Sequence, residues 1–194
     1  MPEKYVYNAI IARRTIRKFK QKPVTKEILS GLVNAARLAP SGGNRQPLDY
    51  MIIDDAALGV ELFKHVRWAG YIAPKGVPKS GEMPTAYIIV LEDKPVKSTT
   101  AAYDVGAAVQ NIMLAAWEEG IGCCWQGAID RDKIRELFKI PMDFDIDSVI
   151  SLGYIAETPV VEEYKGSIKY WLDEAGVIHV PKLKLDEVLR WNKF

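Results

Sequence analysis

Arg13-Arg14-Thr15-Ile16-Arg17 puts three guanidiniums and a hydroxyl within five residues, and Pro40-Ser41-Gly42-Gly43-Asn44-Arg45-Gln46-Pro47 follows as a turn of small and amide side chains. Guanidinium forks match phosphate oxygens in geometry and stay charged at any relevant pH, which makes arginine more informative here than lysine. If the first segment is helical, Arg13 and Arg17 share a face, where like charges repel unless an anion sits between them. In the second segment the glycines allow close backbone approach and positive φ, while Ser41, Asn44 and Gln46 offer donors and acceptors. Together the two segments suit a phosphorylated, planar, hydrogen-bonding ligand. Taken singly, each has a plainer alternative: a solvated basic face for the arginines and a turn that merely ends a helix for the glycines.

The remaining inventory narrows the chemistry. His65 and His179 are the only histidines, which argues against Ser-His-Asp, Cys-His and multi-histidine metal mechanisms. The only cysteines, Cys123 and Cys124, are adjacent in an apolar run; that gives neither a disulfide framework nor zinc-ligand spacing and suits free thiols in a reducing compartment. Lys+Arg 26 against Asp+Glu 25 leaves a net charge of +1, so no global field draws the molecule to nucleic acid or anionic lipid. A nucleic-acid patch built from Arg13, Arg14, Arg17, Lys18, Lys20 and Lys22 lacks a supporting motif. No apolar run approaches the roughly 20 residues needed to span a bilayer, and Met1-Pro2-Glu3-Lys4-Tyr5 lacks the regions of a signal peptide, so a cytoplasmic protein without a membrane partner is expected. With 194 residues, 48% hydrophobic and 26% charged, the chain can bury its own core.

The elements that must position the two segments follow from periodicity. Val6, Ala9 and Ile10 at helical spacing predict a first helix over Glu3–Ala12, which delivers the arginines at its C-terminal end. Thr25 is the cap of a second helix whose stripe is Ile28, Leu29, Leu32, Val33 and Ala36, stopping at Pro40. Tyr50–Ile53 reads as a strand, and Asp55 caps a short helix with Leu58, Leu62 and Phe63 inward. Residues 67–84 carry three glycines and three prolines and are too long and too broken for an ordinary connection, which suggests a lid or a binding loop. Within it Trp68 and Tyr71 could cover a flat substrate or pack the loop against the body. Ala86–Leu91 is a central strand buried on both faces.

A long helix over Ala102–Glu119 has the stripe Val105, Val109, Ile112, Met113 and Ala116, and its small residues suit either a dimer interface or a helix buried in the monomer. A strand Ile121–Trp125, a helix capped by Asp130 and a strand Ser148–Leu152 complete an α+β domain of residues 1–158. An arm over residues 159–194, part of the same domain, is expected to form a hairpin from Ile168–Leu172 and Val177–Val180, then a helix Leu185–Trp191. No G-x-G-x-x-G or P-loop motif occurs.

The arginine strip after a first helix, Pro40 to Pro47 after a second, the Gly-Ala-rich helix with Gln110-Asn111, and Gly122-Cys-Cys-Trp-Gln-Gly127 before a capped helix together resemble the FMN-dependent nitroreductase superfamily over about Tyr5 to Tyr154. The resemblance implies a nitroreductase-like fold, a central mixed or antiparallel sheet flanked by helices, in an intertwined homodimer with FMN at the interface. By position, Arg13, Arg14 and Thr15 would hold the phosphate and ribityl chain, and Arg17 would lie near N1 and O2 of the flavin. Pro40, Ser41, Gly42 and Asn44 of the other chain would line the ring with Gln46 behind, and Gln126 and Gly127 would face N5. Many members have a second serine where Gly42 stands. The family's arm cation on the phosphate has Lys165 and Lys169 as candidates, and either could equally be an exposed arm lysine.

The implied activity is ping-pong transfer of hydride from NADH or NADPH through flavin N5 to a small acceptor such as a nitroaromatic, quinone or flavin, with no metal and no protein acid or base at its centre. Trp68 and Tyr71 of the lid would select the acceptor. The alternative is an FMN-binding storage or sensing protein without productive turnover.

Overall fold

A computed structural model describes residues 4–194. The first helix, α1, spans Tyr5–Ala12; the expected start at Glu3 lies outside the described residues. Only Ala9 of its apolar positions is buried, and Val6 and Ile10 face outward. After it the chain straightens rather than continuing as helix. Thr15 forms a parallel bridge to Cys123, and the Ile16 N–H donates to the Cys123 carbonyl at 2.9 Å.

Strand β1 (Phe19–Lys20) follows, then α2 (Lys26–Arg37), whose Thr25 hydroxyl accepts from the Ile28 N–H as its sequence position required. Asp55 and Asp130 cap α3 (Ala56–Phe63) and α5 (Arg131–Phe138) in the same way, by accepting from Leu58 and Lys133 N–H groups. In α3 Leu62 is buried, but Leu58 is 40% exposed. That first-turn residue has no layer above it.

The central sheet is built from β1, β2 (Leu48–Ile53), β3 (Ala86–Asp93), β4 (Ile121–Gln126) and β5 (Phe144–Ile155), ordered β1-β5-β3-β2 with β4 also on β5. All these pairs are antiparallel, and the Thr15–Cys123 bridge adds a parallel contact that makes the sheet mixed. Strand β5 is its hub. On one edge it pairs with β4 from Val149 to Tyr154, and on the other with β3 up to Leu152 and then β1 at Tyr154 and Ile155.

The period-2 geometry of β3 sorts the core into two layers. Ala86, Ile88 and Val90 pack with Leu29 and Leu32 of α2 and Val105, Val109 and Ile112 of α4 (Ala101–Glu118). Tyr87, Ile89 and Leu91 face Leu62 of α3, Ile134 of α5 and Trp68. Both faces of β3 are therefore covered, which is why its sequence is an unbroken apolar run.

From Lys64 to Thr85 there is no helix or strand beyond a single bridge from Val66 to Ile129. The loop is fastened at both ends: the Arg67 N–H donates to Ala128 O at 3.0 Å, and the Phe19 N–H to Glu82 O at 3.0 Å. The arm carries the expected hairpin as β7 (Trp171–Leu172) and β8 (Ile178–Lys182), plus β6 (Val160–Glu163) running parallel to β8. Its last helix, α6, is confined to Leu185–Val188. Among the described residues no helix is long and apolar enough to cross a membrane.

Candidate functional site

The arginine strip lies over β4 because of one missing side chain. A Cβ on Gly122 would stand 2.6 Å from Ile16 Cβ and 2.7 Å from both of its γ carbons. With hydrogen there, Ile16 drops to 0% exposure against the strand. Its neighbours Thr15 and Arg17 then sit on the outer side of the strip.

Arg13, Arg14, Thr15 and Arg17 line one cavity of about 350 Å³ together with Tyr170 and Lys182 of the arm. Nε of Arg13 and Nε of Arg17 are buried and have no hydrogen-bond partner. A buried donor on a charged group that lacks an acceptor is expensive, so these atoms point to an anionic ligand. Arg14 donates to the Arg13 carbonyl, and burial, followed by the Arg13 charge, lowers its pKa. Glu157 accepts from the backbone N–H groups of Arg17 and Lys18 and so pins the end of the strip. Burial raises its pKa, against the opposing pull of those two bonds. Above Arg17 the ring of Tyr170 stands 4.7 Å from the guanidinium carbon, and the ring of Tyr71 meets Tyr170 at 5.0 Å.

The second segment occupies a different place, over the N-terminal turn of α4. Ser41 precedes a 3₁₀ turn at Gly42–Asn44, with Gly43, Asn44 and Gln46 at φ of 60°, 52° and 52°. Ser41 Oγ donates to Asp104 Oδ2 at 2.7 Å, and the Gly42 N–H donates to Asp104 Oδ1 at 3.0 Å. Gln46 N–H in turn donates to Ser41 Oγ at 3.0 Å. Tyr50 lines the cavity beneath, and burial, followed by the Asp49 and Asp104 charges, pushes its phenol up to about 12. None of residues 40–46 lines the arginine cavity.

The other expected site residues separate as follows. Gln126 is buried, its side chain accepting from Ser151 Oγ at 2.6 Å and donating to the Arg67 carbonyl at 3.3 Å, so it ties β4 to the loop. Gly127 next to it is exposed, with nothing within 4 Å of where a Cβ would stand. Of the two readings open for Trp68, packing describes its position: it is 7% exposed and stacks on Phe63 at 5.4 Å. Tyr71 is 57% exposed and faces the arm. Lys165 and Lys169 are exposed and do not line the arginine cavity; the Lys169 ammonium lies 5.8 Å from the Tyr71 ring.

Lys182 and Tyr170, which sequence reasoning missed, reach the arginines through the pairing of β8 with β6 and β7, and no local signal distinguishes them from their neighbours. Glu157 and Asp104 were equally hidden. The one available clue was a charged residue inside an apolar helical stripe, at Asp104.

An α+β domain with a basic, anion-ready cavity beside its central sheet defines the class. The nitroreductase family profile matches residues 10–154. A relative from Archaeoglobus fulgidus, "Putative NADH dehydrogenase/NAD(P)H nitroreductase", is 34% identical over 157 residues, covering 75% of this chain and 82% of that protein. The crystal structure of a protein of the same name from Parabacteroides distasonis superposes with a TM-score of 0.73 at 24% identity, over 99% of this chain and 100% of that one. A structure from Desulfovibrio desulfuricans, described as a "putative nitroreductase in complex with FMN", gives a TM-score of 0.71 at 25% identity, with 99% of each chain covered. The chain belongs to the nitroreductase family.

Proposed function

We propose that the protein is an FMN-dependent oxidoreductase, working as a cytoplasmic homodimer with flavin bound between the chains. The observation that carries this reading is the pair of buried, unpartnered nitrogens, Arg13 Nε and Arg17 Nε, in a cavity lined by basic side chains. That donor set fits a ligand with a phosphomonoester at one end and hydrogen-bond acceptors at the other. Arg13, Arg14, Thr15 and Lys182 would hold the phosphate and ribityl chain, and Arg17 would place a fixed cation at the pyrimidine edge of the ring. Such a cation favours the reduced, more negative ring over the oxidised one. When bound, FMN would supply hydride acceptance and donation at N5, between NADH or NADPH and a nitroaromatic, quinone or flavin acceptor. Tyr71 and the exposed Gly127 would border the acceptor's side of the site.

Two features support the dimer. The segments expected on one flavin lie in separate places on a single chain, so a ligand touching both fits two copies better than one. In addition, Val6, Tyr7, Ile10 and Ile11 of α1 are 48–66% exposed, an apolar face that a second copy would cover.

The test is a visible spectrum after FMN reconstitution, followed by anaerobic addition of NADH or NADPH, with sedimentation to give the oligomeric state. Flavin bands that bleach are expected. Absence of flavin binding after reconstitution would refute the reading, and bound flavin inert to both nucleotides and every acceptor would favour storage.

A further inference from the structure

Asp104 is a carboxylate where the sequence pattern calls for an apolar residue. It stands in the buried stripe of α4 at 6% exposure, and among the described residues no cation pairs with it. Burying a carboxylate is unfavourable unless donors satisfy it. Its two donors, the Ser41 hydroxyl and the Gly42 N–H, both come from the same turn. The first turn of α4 adds the favourable end of the helix dipole.

The turn needs such a brace. Asn44 and Gln46 both hold positive φ, at 52°, a conformation that non-glycine residues adopt at some cost. Asp104 anchors Ser41, and Ser41 Oγ anchors the Gln46 N–H, so one chain of bonds spans the turn from its first residue to its last strained one. These bonds also decide what the turn can show a ligand. The Ser41 hydroxyl proton and the Gly42 N–H are both directed inward, and a Cβ at Gly42 would meet Thr100 Oγ1 at 3.1 Å. Gly43, Asn44 and Arg45 are the exposed residues between the anchored Gly42 and Gln46.

We infer that Asp104 is a positioning residue of the cofactor site, holding the Ser41–Gln46 turn in the one geometry that meets the flavin ring, and that Ser41 acts through this bond and not as a donor to the cofactor. The inference rests on the flavin reading and deepens it.

Full-length apoprotein carrying Asp104→Ala, Asp104→Asn, Ser41→Ala or Asp104→Ala with Ser41→Ala is titrated with FMN, and the saturated complexes are compared by visible circular dichroism. Asp104→Ala is expected to weaken FMN binding about tenfold or more and to change the dichroism of the bound flavin, because the turn now meets the ring in several geometries. Asp104→Asn keeps one acceptor oxygen for the Gly42 N–H and restores part of both signals. The double variant loses less affinity than the sum of Asp104→Ala and Ser41→Ala, since the Ser41–Asp104 bond is cut in both. A purely structural role would lower the thermal midpoint and leave the dichroism of the saturated complex unchanged.

Wild-type affinity and wild-type dichroism in Asp104→Asn and Ser41→Ala would overturn the inference, and these two variants decide it if Asp104→Ala does not fold. A wild-type protein that takes up no FMN would overturn the flavin reading and this inference together. Wild-type binding with insensitive variants overturns this inference alone.

Discussion

Replacing Gly122 by alanine tests the contact on which the arginine strip depends. The new methyl would stand 2.6 Å from Ile16 Cβ, whereas ordinary contact begins near 3.4 Å, so Ile16 must retreat by about 0.8 Å. Both of its γ carbons are equally close, at 2.7 Å, and Ile16 is fully buried, so rotation about χ1 gives no escape. Overpacking of this kind costs about 1–3 kcal/mol. At roughly 2–4 °C per kcal/mol for a chain of this size, the midpoint should fall by roughly 2–12 °C. The same retreat would carry Thr15 and the flanking arginines off β4, so FMN affinity should fall as well. Gly31→Ala is the control: nothing lies within 4 Å of its Cβ position and it sits in α2, so the same chemical change should stabilise by about 0.5–1 kcal/mol. Urea unfolding of the apoproteins gives the stabilities and fluorescence titration the affinities. Wild-type stability and FMN binding in Gly122→Ala would refute the reasoning.

Arg13→Ala should lower FMN affinity at least about tenfold, the worth of a charge-assisted phosphate contact, measured by titrating apoprotein. Lys182→Ala should lower it by a similar factor, while Lys165→Ala and Lys169→Ala leave it unchanged; the reverse ranking would move the arm cation back to the lysines outside the cavity. Trp68→Ala should lose about 3–5 kcal/mol of stability in denaturant unfolding, as the loss of a core aromatic does. Burial holds the Cys123 thiol at about 12 and that of Cys124 at about 11, against 9.0 unfolded, so neither should react with a disulfide reagent at pH 8 until the protein unfolds. The folded chain keeps protons that the unfolded chain releases above pH 9, so stability should fall as pH climbs from about 9 through 11 and 12, and Cys123→Ala should flatten that decline.

What was legible in the sequence was what local chemistry decides. Thr25, Asp55 and Asp130 cap their helices as their positions required, because a cap is a bond between a side chain and a backbone N–H a few residues on. The unbroken run of β3 announced a strand covered on both faces. The two-residue strands β1 and β7 are too short to carry a period, and β6 is set by its parallel pairing with β8, a long-range fact. The arginine strip is extended because Gly122, more than a hundred residues later, makes a bed for Ile16, and nothing within the strip says so. Lys182 looked like any arm lysine, and Asp104 like an isolated acid on a helix. Both acquire meaning only from the partner that the fold brings to them.

Strand β5 has a consequence for how the chain is made. The N-terminal strip pairs with Cys123, and β1 pairs with Tyr154 and Ile155, so the earliest part of the chain docks on the latest strands of the central sheet. At about 5–20 residues per second, a ribosome takes roughly 7–27 s to travel from β1 to the end of β5, with further delay for the exit tunnel. Throughout that interval α1, with its exposed isoleucines, and the three arginines behind it have no sheet to lie on. The strip should therefore stay without its sheet partners on the nascent chain until β5 has emerged, and its cavity without Tyr170 and Lys182 until the arm follows.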